Sequence, residues 1–199
     1  MSISLSKNET VSLTKDGKGL QRVFLGLGWD VVVAPKKSGF LGGLFAGASG
    51  GESIDLDASC LMFDANKQIV ETVWFRQLES QNRSVVHLGD NLTGEGSGDD
   101  EVIEVDLTKV DPTVQSLVFL ITSFRGQTFE KIESAFCRLV NKETNVELAK
   151  FNLSGKSAYT GQVMAKVYRE NGAWVMKAIG ESGNGTTQKD LIPLAQSCL

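Results

Sequence analysis

The sequence predicts an all-β fold, an antiparallel β-sandwich with short helical segments, and three observations predict it. Apolar and polar residues alternate with period two in segment after segment. Turn signals such as Asn66-Lys67, Asn171-Gly172 and Gly183-Asn184-Gly185 divide these segments at short intervals. No stretch between them has the length and period of the crossover helices that parallel strands need.

Taken in order, the strand pattern falls on Ile3 to Leu5, Thr10 to Thr14 and Arg22 to Gly28. It then runs from Ile54 to Phe63, where Ile54, Leu56, Ala58, Cys60 and Met62 alternate with Asp55, Asp57, Ser59, Leu61 and Phe63. That strand reads as buried on one face at its start and on both faces later. Further strands follow at Ile69 to Phe75, Glu101 to Leu107, Ser116 to Phe124, Ala135 to Val140, Val146 to Leu153, Gly161 to Arg169 and Ala173 to Ile179. Helix is expected only at Thr128 to Ser134 and at Gln188 to Gln196, the second made short or kinked by Pro193. With 199 residues, of which 41% are hydrophobic, the chain reads as one domain over residues 1–199 with enough apolar mass for a core. The segment Pro35 to Gly51 interrupts the pattern with six glycines and no charge after Lys37. It reads as an insertion at 38–51 whose Phe40, Leu41, Leu44 and Phe45 are unusual in a plain linker and suit either a loop folded back onto the core or contact with a partner or a membrane.

Composition also excludes chemistry. Three cysteines, Cys60, Cys137 and Cys198, form no CxxC pair, so neither a disulfide framework nor a thiolate zinc site is expected. His87 is the single histidine and reads as an ordinary strand-end residue, which removes most triads and histidine metal sites. No apolar run has the length of a bilayer span and the first residues are too polar for a signal peptide, so the expected location is cytoplasmic. The formal charge of -4 conceals a local cluster: Ser84 to Thr108 carries seven acids and no lysine or arginine, while the remainder has 20 cations against 24 - 7 = 17 acids. A local cation site follows more naturally than a nucleic-acid surface.

The motif is GDNLTGEGSGDDE, Gly89 to Glu101, with five carboxylates among thirteen residues and four glycines. Crowded carboxylates repel by roughly 1 kcal/mol per close pair in water, so a bound cation is expected. Oxygen donors on a glycine-bearing loop favour calcium. An EF-hand is excluded, because Leu92 and Gly94 stand where side-chain oxygens are needed and Glu95 takes the glycine position. Asp55 and Asp57 project from one face of their strand, and Asp30 ends another strand, so all three are candidates to join the site.

The segments LGLGWD (Leu25 to Asp30), SIDLDASC (Ser53 to Cys60) and GDNLTGEGSGDDE resemble the signature blocks of the TerD-type tellurium-resistance and stress proteins. The order of blocks, with LVFLITSFRGQTF and FCRLVN downstream, extends the resemblance along the whole chain, and the glycine-rich insertion resembles the TerZ-like branch. The resemblance implies a calcium-binding β-sandwich without enzymatic activity. Its ligands would fall on Asp90, Asn91, Thr93, Glu95, Asp99, Asp100 and Glu101 of the loop and on the Asp55/Asp57 strand. Ser97 stands where many relatives have an acid. The expected role is a non-catalytic calcium-binding protein of a bacterial tellurite-resistance or stress-response system, with other proteins of that system as partners. The alternative is a calcium-dependent membrane-docking or scaffold module that meets the inner-membrane surface through 38–51. A thiol enzyme that reduces tellurite ranks below both, since no cysteine lies near a basic cluster.

Overall fold

The computed structural model describes residues 2–15, 18–31, 55–89, 98–153 and 157–199. The insertion 38–51 and the loop residues Asp90, Asn91, Thr93 and Glu95 lie outside the described residues, as does the side chain of Asp30. Strands β1 (Ile3–Ser4), β2 (Thr10–Ser12), β3 (Thr14–Lys15), β4 (Lys18–Gly19) and β5 (Arg22–Val31) come first. They are followed by β6 (Leu56–Asp64), β7 (Ile69–Val73), β8 (Val85–His87), β9 (Glu101–Asp106) and β10 (Val114–Ser123). A 3-10 turn (Phe129–Lys131) leads into β11 (Ile132–Asn141), β12 (Val146–Leu153), β13 (Gly161–Glu170) and β14 (Ala173–Gly183), and helix α1 (Ile192–Ser197) comes last.

Two six-stranded sheets result. The first has the order β1-β12-β11-β5-β9-β8 and the second β2-β14-β13-β10-β6-β7, while β3 and β4 form a separate hairpin. Their inner faces share one core: Leu25, Leu27, Ile103, Cys137 and Leu139 from the first sheet meet Ala58, Cys60, Phe119, Ala165 and Met176 from the second. The sandwich expectation therefore holds, and the period-two pattern is what puts one row of each strand into this core. Asn171 and Gly172 both take positive φ, as the tight turn between β13 and β14 requires.

Two expectations are corrected, and the structure adds detail to others. Thr128 to Ser134 is not a helix: after the 3-10 turn the chain joins β11, where Ile132 pairs with Val31, because a long ladder with β5 and β12 outweighs a short helix of modest propensity. The pairing is not wholly antiparallel, since β1 adds to β12 in parallel and the chain then crosses to the edge of the second sheet as β2. Strand β8 and the β3–β4 hairpin had too few residues to leave a periodic signal. The start of β6 is buried on both faces, Asp57 and Ser59 included. As for α1, its proline sits in the first turn, where the missing N–H is harmless, so the helix is short but not kinked.

A second apolar cluster lies on the outer face of the second sheet. Leu61, Phe63, Val118, Leu120, Val163 and Ile179 are covered there by Leu191 and Ala195 of the C-terminal segment. This cover explains why β6 and β10 are apolar on both faces.

Candidate carboxylate site

The acids of the two sequence blocks meet where β5 ends and where β6 and β9 begin. Asp55 and Asp57 are buried, at 4% and 5% exposure, and Glu101 is buried at 1%. Asp57 has the same parity along β6 as Leu61 and Phe63, so it belongs to the outer face of the second sheet, opposite Thr122 of β10. Glu101 has the inward parity of Ile103 and Val105 on β9. Its Oε2 accepts the Ala58 N–H at 2.6 Å, so a carboxylate of the first sheet closes on the peptide that follows Asp57 in the second. The edge of β6 is open to this bond because β7 pairs only from Cys60 onward.

Basic side chains that the sequence did not place also converge here. His87, the last residue of β8, is 2% exposed, and its Nδ1 accepts the Gly89 N–H at 3.2 Å. In the neutral ring that acceptor assigns the proton to Nε2, which lies 3.3 Å from Glu101 Oε2 without hydrogen-bond alignment. Arg125 Nε stands 3.8 Å from Asp55 Oδ2.

The three consecutive acids divide three ways. Glu101 turns inward. Asp100 stays level with the sheet, donating its N–H to the Leu27 carbonyl at 2.8 Å and accepting the Trp29 N–H on Oδ2 at 2.7 Å. Asp99 turns to the outer face of the first sheet, where Arg138 of β11 grips it with two bonds, Nε to Oδ1 at 2.6 Å and Nη2 to Oδ2 at 2.8 Å. Gly26 is the register partner of Arg138. A Cβ at Gly26 would stand 2.2 Å from the Asp99 carboxylate, and one at Gly28 would stand 2.6 Å from the Gly98 carbonyl and 2.4 Å from the Phe136 ring. The LGLG run is therefore a trough in which residues 98 and 99 lie. Arg138 also donates to Glu147 at 3.4 Å and covers the Phe24 ring, and its guanidinium is held more firmly protonated by Asp99.

Of the residues the sequence singled out, the structure thus gathers Asp55, Asp57 and Glu101 about the start of β6 and sends Asp99 to a protein cation instead. Among the described residues no group of three or more metal-ligating side chains is close enough to hold an ion. Sequence reasoning missed Arg138 and Arg125 because it sought a cation within the acidic segment, whereas β11 and the β10 terminus supply them across the fold. The only hint was the arginine in FCRLVN, at the outward parity of a strand.

The thiols are poorly placed for chemistry. Cys60 and Cys137 are fully buried, and burial pushes both upward, Cys137 to about 12. Half-buried Cys198 is raised for the same reason. No helix among the described residues is long and apolar enough to cross a membrane.

Comparison with known proteins agrees with this architecture. The TerD domain matches residues 1–196. The chain is 48% identical to the tellurium resistance protein TerZ of Serratia marcescens over 95% of this chain and 94% of the other. It is 40% identical to the stress response protein SCP2 of Bacillus subtilis (strain 168), over 96% and 98%. A solved homologue of telluride resistance protein TerD from Streptomyces coelicolor A3(2) superposes with a TM-score of 0.64 at 17% identity, covering 87% of this chain and 96% of that one, which speaks to the fold. The chain belongs to the TerD-domain family of tellurium-resistance and stress-response proteins.

Proposed function

We propose that this chain is a non-catalytic calcium-binding protein that serves a bacterial tellurite-resistance or stress-response system together with other proteins of that system. The observation that carries the reading is the burial of three carboxylates, Asp55, Asp57 and Glu101, at one strand junction. Their donors are all oxygen, which suits a hard divalent cation. Asp90, Asn91, Thr93 and Glu95 would complete the coordination, with Asp100 and Glu101 fixed by the β5 and β6 backbone. When bound, calcium would supply charge neutralisation and oxygen coordination at this junction. The buried thiols argue against a reductase.

Calorimetric titration of metal-free protein with calcium and magnesium tests the reading. Saturable calcium binding that Asp57→Asn and Glu101→Gln weaken is expected. Absence of calcium heat in a folded sample would overturn it.

One observation keeps the membrane-docking alternative in view. Phe75 stacks edge-on with Trp74 and Phe124, Arg76 lies over the first two rings, and the Phe124 N–H donates to the Asp55 carbonyl. Aromatic rings with an arginine beside a cation site suit an anionic bilayer. Calcium-dependent co-sedimentation with phosphatidylserine vesicles would favour this alternative, and equal sedimentation with chelator would remove it.

A further inference from the structure

A positive cleft on the outer face of the second sheet is independent of the carboxylate site and of any bound calcium. It encloses about 340 Å³ beside the end of α1, between Asn8, Lys166, Lys177, Glu181, Ser197 and Cys198. Lys166 of β13 and Lys177 of β14 are direct register partners. Two ammonium groups therefore occupy one cross-strand pair, an arrangement that costs stability unless something negative answers it. Lys166 Nζ donates to the Cys198 carbonyl at 2.8 Å and lies over the Tyr168 ring, but neither lysine has a carboxylate partner among the described residues. The lining carboxylate, Glu181, is already held by Lys7 at 2.9 Å. Lys67 adds further positive charge and is turned to the Leu199 carbonyl at 3.2 Å. Burial, followed by the charges of Lys177 and Lys67, draws Lys166 below the ordinary lysine range, with only Cys198 opposing.

The other basic cleft differs in this respect. It encloses about 140 Å³ near Arg22 at the far end of the first sheet. There Lys142 is paired with Glu104, Lys109 with Asp106 at 3.3 Å, and Arg83 with Glu79 at 2.8 Å. Three of its four cations thus have carboxylate partners, whereas among the described residues Lys166 and Lys177 have none.

We propose that the cleft beside α1 binds a doubly charged oxyanion, a phosphate group, between Lys166 and Lys177, with the Asn8 amide as a neutral donor. A dianion converts the repelling pair into a chelate, and its charge is delocalised over oxygens that several donors can share. The cleft is larger than the ion, so the phosphate can be free or carried on a lipid headgroup.

The full chain, kept in chelator, is titrated with sodium phosphate and with sodium chloride at equal ionic strength while its backbone amides are followed by NMR. Saturable shifts at Asn8, Lys166, Lys177 and Ser197 with phosphate alone are expected. Lys177→Gln should lower phosphate affinity at least about tenfold, the effect of one lost charged hydrogen bond. Its melting temperature should not fall, because the substitution removes a like-charge contact; Lys166→Gln provides a second variant if the first misfolds. Identical shifts with chloride, or unchanged affinity in the folded variant, would overturn the proposal. Phosphatidylcholine vesicles containing phosphatidic acid separate the sources. Sedimentation that Lys177→Gln and free phosphate both abolish assigns the group to a lipid, and binding of phosphate without sedimentation assigns it to a free ion.

Discussion

Arg138 and Gly26 form one device, the one contributing a guanidinium and the other the absence of a side chain. Removing the guanidinium leaves an Asp99 carboxylate that is 8% exposed without its counter-charge, which costs about 1.5–3 kcal/mol for a charged hydrogen bond. Arg138→Met should lower stability by about that amount in denaturant unfolding. Gly26→Ala should cost a similar amount, because its new Cβ displaces the Asp99 carboxylate from the same guanidinium. The two substitutions act on one interaction, so the double variant should fall well short of their sum in a double-mutant cycle. Full additivity would mean that glycine and arginine act separately. Gly28→Ala is a harsher change, since it meets the Gly98 backbone and not a movable carboxylate. LGLG was visible in the sequence as a pattern, but its purpose was not, because the trough exists only once β11 lies beside β5.

At the scale of elements, the C-terminal segment is an outer cover that makes β6 and β10 apolar on both faces. Leu191 is 1% exposed and contacts the second core cluster. Truncating such a buried leucine costs about 2–5 kcal/mol through lost transfer and cavity formation. Leu191→Ala should therefore lower the melting temperature by several degrees, and retention of the wild-type value would show that α1 is peripheral to stability. The entry to this segment is held by Asp190, whose carboxylate accepts the Thr186 and Thr187 N–H groups at 3.0 and 2.9 Å. These bonds lower its pKa. A carboxyl group lowered in the native state stabilises fully above its unfolded value and loses that contribution as pH falls through its native value. Acid should thus loosen the α1 segment, and Asp190→Asn should show a shallower loss of stability below the ordinary carboxylate range. The elements themselves were largely legible, since long strands with strict alternation leave a clear record. Thr128 to Ser134 misled because a local helical tendency there lost to a ten-residue ladder.

For the whole molecule, two sheets carry buried carboxylates to a shared edge, and a ligand that binds only this assembled state must stabilise it. At a hundredfold excess over its dissociation constant, calcium should add about 2.7 kcal/mol to folding stability. The melting temperature should rise with calcium and return with chelator, and superimposable curves would count against a structural ion. Asp57→Asn should diminish the rise while Lys177→Gln leaves it intact, because Asp57 and Lys177 lie on different strands of the second sheet.

The sequence by itself determined the β-sandwich, the identity of the acidic block and the family, because period-two burial and a thirteen-residue motif are local records that survive without coordinates. Only the tertiary structure decided how the acids are used. Asp99, Asp100 and Glu101 are adjacent in sequence, yet Glu101 opens β9 and turns inward to Ala58, while Asp100 and Asp99, in the bend before it, reach Trp29 and Arg138. The reason is geometric: Asp99 and Glu101 would share one face of a regular strand, but the bend at residues 98–100 precedes β9 and turns them apart, and their partners come from strands more than thirty residues away.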